Sequence, residues 1–119
     1  GSSDAVKIVL PATINGIPVT GLDSYAVDVP EGKAVTIAFP DGMRYISRYA
    51  VVGSGYEGPG GKMFHEIGDT GFELMLEAWM DDGQGCAVIT GFLNGSVTGK
   101  VDLIIPESVS FGRYSFELR

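Results

Sequence analysis

Apolar residues recur at every second position through much of the chain. In 5–10, Val6, Ile8 and Leu10 share one face, Lys7 lies on the other, and Pro11 ends the run. In 24–29 the apolar set is Tyr25, Val27 and Val29, and in 33–39 it is Val35, Ile37 and Phe39. The breakers after the second and third runs, Pro30-Glu31-Gly32 and Pro40-Asp41-Gly42, share one chemistry. Proline fixes φ and glycine permits a positive φ, so each reads as a tight turn. Period-two runs bounded by such turns predict half-buried antiparallel strands. Further strands are predicted over 43–52, 86–92 and 100–105, the last two joined through Asn94-Gly95-Ser96. Aromatic and polar residues alternate again over 110–118. Segment 62–67 is short and ambiguous. Segment 53–61 holds five glycines in nine residues. It is expected to be a mobile loop.

The stretch from Thr70 to Gly85 satisfies two periods at once. As a helix over 71–81, Phe72, Met75, Leu76, Trp79 and Met80 form one stripe, and Thr70 with Glu73 fits a capping box. As a strand, Phe72, Leu74, Leu76, Ala78 and Met80 point inward, and Glu73, Met75, Glu77 and Trp79 point outward. Two features tilt the balance to the strand. Asp81 and Asp82 would sit at a helix C-terminus, where negative charge is unfavourable. Asp82-Gly83 also makes a ready hairpin turn into 86–92. The pattern as a whole, about seven to nine strands with turns at short intervals, predicts an all-β fold. The expected architecture is an antiparallel β-sandwich or jelly roll, with one short helix at 71–81 as the variant.

Composition narrows the function classes. The 119 residues fit one domain spanning 1–119, with Gly1-Ser2-Ser3 read as a cloning remnant. The chain reads as one module of a larger protein, in contact with neighbouring domains. Eighteen glycines, about twice ordinary usage, suit a fold with many turns. The net charge of −7, with only eight Lys and Arg, argues against nucleic acid and anionic membranes as partners. No apolar run approaches the length of a membrane span. Cys86 is the only cysteine, so no internal disulfide can form.

Three places read apolar–Pro, a short spacer, then Tyr with small or apolar neighbours: "VLPATINGIPVTGLDSYAV", "AFPDGMRYISRYAV" and "IIPESVSFGRYSF". Each resembles the consensus of bacterial surface leucine-rich repeats of the BspA type, in which a strand runs into a proline and then a tyrosine-alanine-phenylalanine corner. The resemblance implies stacked units of a solenoid. The chain departs from that pattern in two ways. Pro11, Pro40 and Pro106 keep no constant spacing, and 53–99 carries no repeat. A strand stopped by proline and followed by a turn accounts for the same residues without any repeat.

Candidate chemistry is sparse. His65 is the only histidine, so any Ser-His or Cys-His catalyst would need it, and no nucleophile elbow accompanies it or Cys86. Cys86 and His65 are too few for a structural zinc site. Asp81 and Asp82, with Asp69 nearby, could offer oxygens to calcium, but the spacing is not that of an EF-hand and an Asp-Gly turn explains them. Glu73 and Glu77 share a face, yet an acidic chain makes such pairs inevitable. Gly53, Gly55 and Gly58 spell G-x-G-x-x-G, but Pro59-Gly60-Gly61 follows where a helix should open. Asn94-Gly95-Ser96 also matches a glycosylation acceptor. No cofactor or metal is expected.

Aromatic residues remain the best candidates for binding. On one strand over 43–52, Tyr45 and Tyr49 would share a face, with Arg44 and Arg48 on the other. Tyr56 sits in the glycine-rich loop without an evident core role. Trp79, if on a strand, stands among acids on an outer face. Tyrosine and tryptophan join a flat apolar surface to a polar tip, which suits wet binding surfaces. The expected function is a non-catalytic, carbohydrate-binding module of a bacterial extracellular or cell-surface protein. Its ligand, a glycan or a surface protein, would be held by Trp79, Tyr56, Tyr45 and Tyr49. The alternative is a structural or assembly domain that contacts other protein chains.

Overall fold

A computed structural model of the protein describes residues 5–68, 70–93 and 102–119. These residues form strands and no helix, so the fold is all-β. The first half of the chain winds twice around the same path. One turn carries β1 (Ala5–Val9), β2 (Thr13–Ile14), β3 (Ile17–Pro18), β4 (Gly21–Leu22) and β5 (Val27–Asp28). The next carries β6 (Ala34–Ala38), β7 (Tyr45–Ile46) and β8 (Val51–Val52).

Each strand of the second turn lies parallel to its counterpart in the first. Val6 faces Val35, Leu22 faces Ile46, and Val27 faces Val51. The partner sits 29 residues on in the first pair (Ala5 to Ala34) and 24 in the others (Gly21 to Tyr45, Val27 to Val51). The small β2–β3 hairpin, turning on Asn15-Gly16 at φ 52° and 79°, takes up the difference. The first two of the three sequence echoes therefore stack as coils. The third does not: it forms the antiparallel hairpin β12 (Ser108–Phe111) to β13 (Tyr114–Leu118), turned by Gly112 at φ 60°.

The second half is built on β10 (Glu73–Asp81) and β11 (Gln84–Leu93). Asp82 and Gly83, at φ 50° and 78°, supply the two positive-φ positions that a tight hairpin requires. β11 fills one edge of β10. The other edge is shared by β9 (Lys62–Glu66), opposite 73–77, and by β7, where Ile46 faces Met80. One mixed sheet in the order β12-β13-β11-β10-β7-β4 thus joins the hairpins to the coil stack.

The segment at 71–81 is resolved as strand. Leu74, Leu76 and Ala78 are fully buried and Met80 nearly so, while Glu73, Met75, Glu77 and Trp79 take the other face. Thr70 ends a turn instead of capping a helix: its Oγ1 donates to Ile67 O and accepts from Phe72 N. The inward residues meet Ile46, Met63, Ala87, Val109 and Phe116 in one core.

Three expectations need correction. The pairing is not antiparallel throughout, because β1–β6, β4–β7, β5–β8 and β11–β13 are parallel. In the three coil pairs the physical reason is that the chain bends at its corners into a new wall and does not fold back beside itself; in the fourth, β13 is the return strand of the β12–β13 hairpin and so runs the same way as β11. Segment 43–52 is accordingly two strands in different sheets, separated by a corner where Ala50 N donates to Ser47 O. Residues 102–105 form no strand, and the expected turn at 94–96 and the start of the strand at 100–101 lie outside the described residues, as do the cloning remnant and Asp69.

The burial pattern generates a test. Leu76→Ala should destabilise the fold by about 2–5 kcal/mol in urea unfolding. Val9→Ala, at an exposed position of β1, should stay within about 0.5 kcal/mol.

Candidate functional site

The alternation of β10 places Met75, Glu77 and Trp79 on the outer face of the sheet. The corner of the second coil brings Arg48 across this row. The Arg48 guanidinium lies 5.2 Å from the centre of the Trp79 ring and 5.8 Å from that of Tyr49. Its Nε donates to Glu77 Oε1 at 2.5 Å. One cation therefore bridges two aromatic rings and a carboxylate. The pair is only partly exposed, so its attraction is less screened than that of the open pair Arg44–Asp82.

The coil repeat sets the tyrosines. Tyr25 and Tyr49 occupy equivalent corners, and Tyr25 N donates to Tyr49 O at 2.8 Å. Ala50 behind the second corner is fully buried, while Tyr25 and Tyr49 are 75% and 55% exposed. Ser47 Oγ secures the corners, sharing a hydrogen bond with Ser24 Oγ at 2.6 Å and accepting from Tyr49 N. Tyr25 adopts φ 60°, which turns it outward and not into the core as the period-two pattern of 24–29 predicts.

A groove of about 630 Å³ opens between this corner and the sheet, with Tyr25, Tyr49, Arg48, Phe64, Met75 and Glu77 along it. Phe64 reaches it because it faces Met75 across β9 and β10. Of the residues singled out from the sequence, Tyr49 lines the groove and Tyr45 does not. Tyr45 pairs with Gly21 in another wall, so the two tyrosines do not share a face. Trp79 stands on the outer face as the strand reading requires, but beside a second hollow of about 380 Å³ shared with Asp81, Asp82, Gln84, Cys86 and Arg119. Arg48 covers its ring, so Trp79 is no bare platform.

Tyr56 is a core residue, contrary to expectation. It is 6% exposed and donates its O–H to Pro59 O at 2.8 Å. Burial holds the phenol well above its usual pKa range. The glycines are what let the loop close around it. A Cβ at Gly58 would lie 2.5 Å from the Tyr56 hydroxyl, one at Gly61 2.8 Å from its ring, and one at Gly55 1.9 Å from Lys33 O. Segment 53–61 is thus a fitted plug: Val35 N donates to Gly55 O, Val51 N to Gly60 O, and Gly60 N to Ala78 O. Tyr56 borders the groove from beneath.

The remaining candidates are separated by the register. His65 faces Leu74 and Cys86 faces Trp79. Directly opposed residues share a side of the sheet, so His65 lies on the inner face with Leu74 and Cys86 on the outer. They do not meet. Arg119 donates to Cys86 Sγ at 3.0 Å. Asp82 is engaged by Arg44 at 2.6 Å, and among the described residues no three His, Cys, Asp or Glu group to hold a metal.

Tyr25 is the site residue that the strand pattern hides. The signal for it was the match of "SYAV" to "RYAV", which repeats an outward tyrosine beside a small inward alanine. Comparison with family models, with curated proteins and with solved structures returns no match.

Two outcomes follow. Trp79 is the only tryptophan, so Arg48→Ala should shift its fluorescence emission to the red by uncovering the ring to water. Tyr56 should make the fold sensitive to alkali. Its folded pKa is raised, so its contribution is complete below the ordinary tyrosine pKa of about 10 and is lost as the pH climbs beyond it. Tyr56→Phe should flatten that alkaline loss in melting curves, while costing about 1 kcal/mol at neutral pH for the hydrogen bond.

Proposed function

We propose that the chain is a non-catalytic binding module of a bacterial extracellular or cell-surface protein, and that its groove takes a glycan. The observation that carries the reading is the pairing of exposed aromatic faces with fixed polar groups along one concavity. Tyr25, Tyr49 and Phe64 offer flat apolar surface, and Arg48 and Glu77 offer a donor and an acceptor already oriented by each other. A sugar ring presents the same combination, an apolar face bounded by hydroxyls. The volume lies within the ordinary range of ligand pockets, about 300–1,000 Å³.

In this reading the coil stack and the hairpin sheet act as two leaves around one core, as in a sandwich domain, and the outer face presents the ligand. Rigid support favours binding, because less freedom is lost when the ligand arrives. The tyrosines sit on corners pinned by Ser47 and by inter-coil hydrogen bonds. Arg48 contributes twice: it orients Glu77 and leaves guanidinium N–H groups for ligand hydroxyls. Trp79 extends the surface beyond Arg48.

Affinity electrophoresis or calorimetry against a polysaccharide panel tests this. At least one glycan should bind, and Tyr49→Ala or Tyr25→Ala should weaken it by about tenfold, a loss of about 1.4 kcal/mol. Tyr45→Ala should leave it unchanged. A panel without any binder, or binding indifferent to Tyr25 and Tyr49, overturns the proposal.

A further inference from the structure

The groove beside Tyr49 reverses the charge balance of the chain. The protein carries fifteen Asp and Glu against eight Lys and Arg. Among the described residues, the charged members of the groove lining are Arg48, Lys62 and Glu77. Two cations and one carboxylate leave +1 in a concavity of a chain whose net charge is −7.

The register shows how these charges meet. Lys62 stands directly opposite Glu77 across β9 and β10. Their side chains therefore rise from one side of the sheet, about 5 Å apart at Cβ. Arg48 reaches the same carboxylate from the coil corner, its Nε 2.5 Å from Glu77 Oε1. One carboxylate serves two cations and can neutralise only one of them. Glu57 sends its Oε1 to Phe64 N at 3.3 Å and does not line the groove.

The outer face continues in a definite order. After Lys62 and Glu77 come Phe64 opposite Met75, then Glu66 opposite Glu73. A cationic end thus passes through an apolar middle to an acidic end. Lys62 and Glu66 are four residues apart on one strand, which is about 13 Å at the rise of a strand. Physiological salt screens exposed charges beyond about 8 Å. An anion beside Lys62 is therefore governed by the nearby cations, and neither the distant acid pair nor the net charge of the chain outweighs them.

On the glycan reading of the groove, we propose that the sugar bound there is anionic. Lys62 and Arg48 hold its carboxylate or sulfate ester, and the neutral remainder lies over Phe64 and Met75. The Lys62 ammonium and the terminal nitrogens of Arg48 are donors only, which suits an anion better than a hydroxyl. Hydrogen bonds between charged partners are also the stronger kind. A chain with an anion on every sugar would bring a second charge toward Glu66 and Glu73. The groove therefore fits a single anionic sugar in an otherwise neutral segment.

The test is calorimetry of the 119-residue chain against matched oligosaccharides. Each set contains a neutral gluco-, galacto- or manno-oligosaccharide, the same chain with one uronic acid, and the same chain with one sulfate ester. In at least one set an anionic member should bind about tenfold tighter than the neutral one. The gap should narrow as salt is raised. The uronic and sulfated members distinguish which anion is held. Lys62→Gln, at an exposed position, should bring the anionic member down to about the affinity of its neutral counterpart, while Lys62→Arg keeps the preference. Tyr25→Ala should weaken neutral and anionic members alike. Equal binding of neutral and anionic members overturns the anionic ligand and leaves the glycan reading standing, as does an equal loss of both in Lys62→Gln. The absence of binding in every set overturns both together.

Discussion

The structure depends on the strict alternation of β10. Its inward residues, Leu74, Leu76, Ala78 and Met80, form the floor of the core. Its outward residues, Met75, Glu77 and Trp79, form the floor of the surface that faces water. Both edges are occupied along its length, by β11 on one side and by β9 and β7 on the other. A slip of one residue would exchange core for surface. The single irregularity, a register shift between Met75 and Leu76 against β11, lies where Thr90 donates to Met75 O and keeps the ladder satisfied. Core and candidate site are therefore two sides of one strand, set by the same register.

The coil stack supplies what a flat sheet cannot. Its corners project from the wall, so tyrosines placed there overhang the sheet and make a groove. The glycine plug then closes the second coil and locks it to β10 through Gly60 and Ala78. Here glycine acts through absence. The loop backbone passes so near Tyr56, Ala50 and Lys33 that a side chain would have no space. A segment whose composition reads as slack is among the most closely fitted in the molecule.

Much of this was legible in the sequence, and the rest was not for physical reasons. Local periodicity gave the strands at 5–10, 33–39 and 71–81, the turns at Gly32 and Gly42, and the Asp82-Gly83 hairpin, because each is settled by neighbours within a few residues. Parallel stacking depends on partners 24 and 29 residues away (Val27 to Val51, Ala5 to Ala34). The echo of "VLPATINGIPVTGLDSYAV" in "AFPDGMRYISRYAV", and the repeat resemblance it carries, pointed to it. Tyr56 was misplaced because its burial comes from contacts that composition cannot reveal. Tyr45 and Tyr49 were put on one face because a run of apolar residues does not announce a corner in its middle. Trp79 was placed on the correct face, but the arginine lying over it comes from a distant part of the chain.

The β2–β3 hairpin has a consequence of another kind. It leaves the path of the first coil after β1 and returns before β4, and the strands on either side keep their parallel register with the second coil. At its tip Gly16 has nothing within 4 Å of where a side chain would stand. The coil thus carries a natural excursion whose length is uncoupled from the wall beneath it. Foreign sequence inserted between Asn15 and Gly16 would be displayed on a short stem, making this tip a ready graft point for epitopes, tags or reporter peptides.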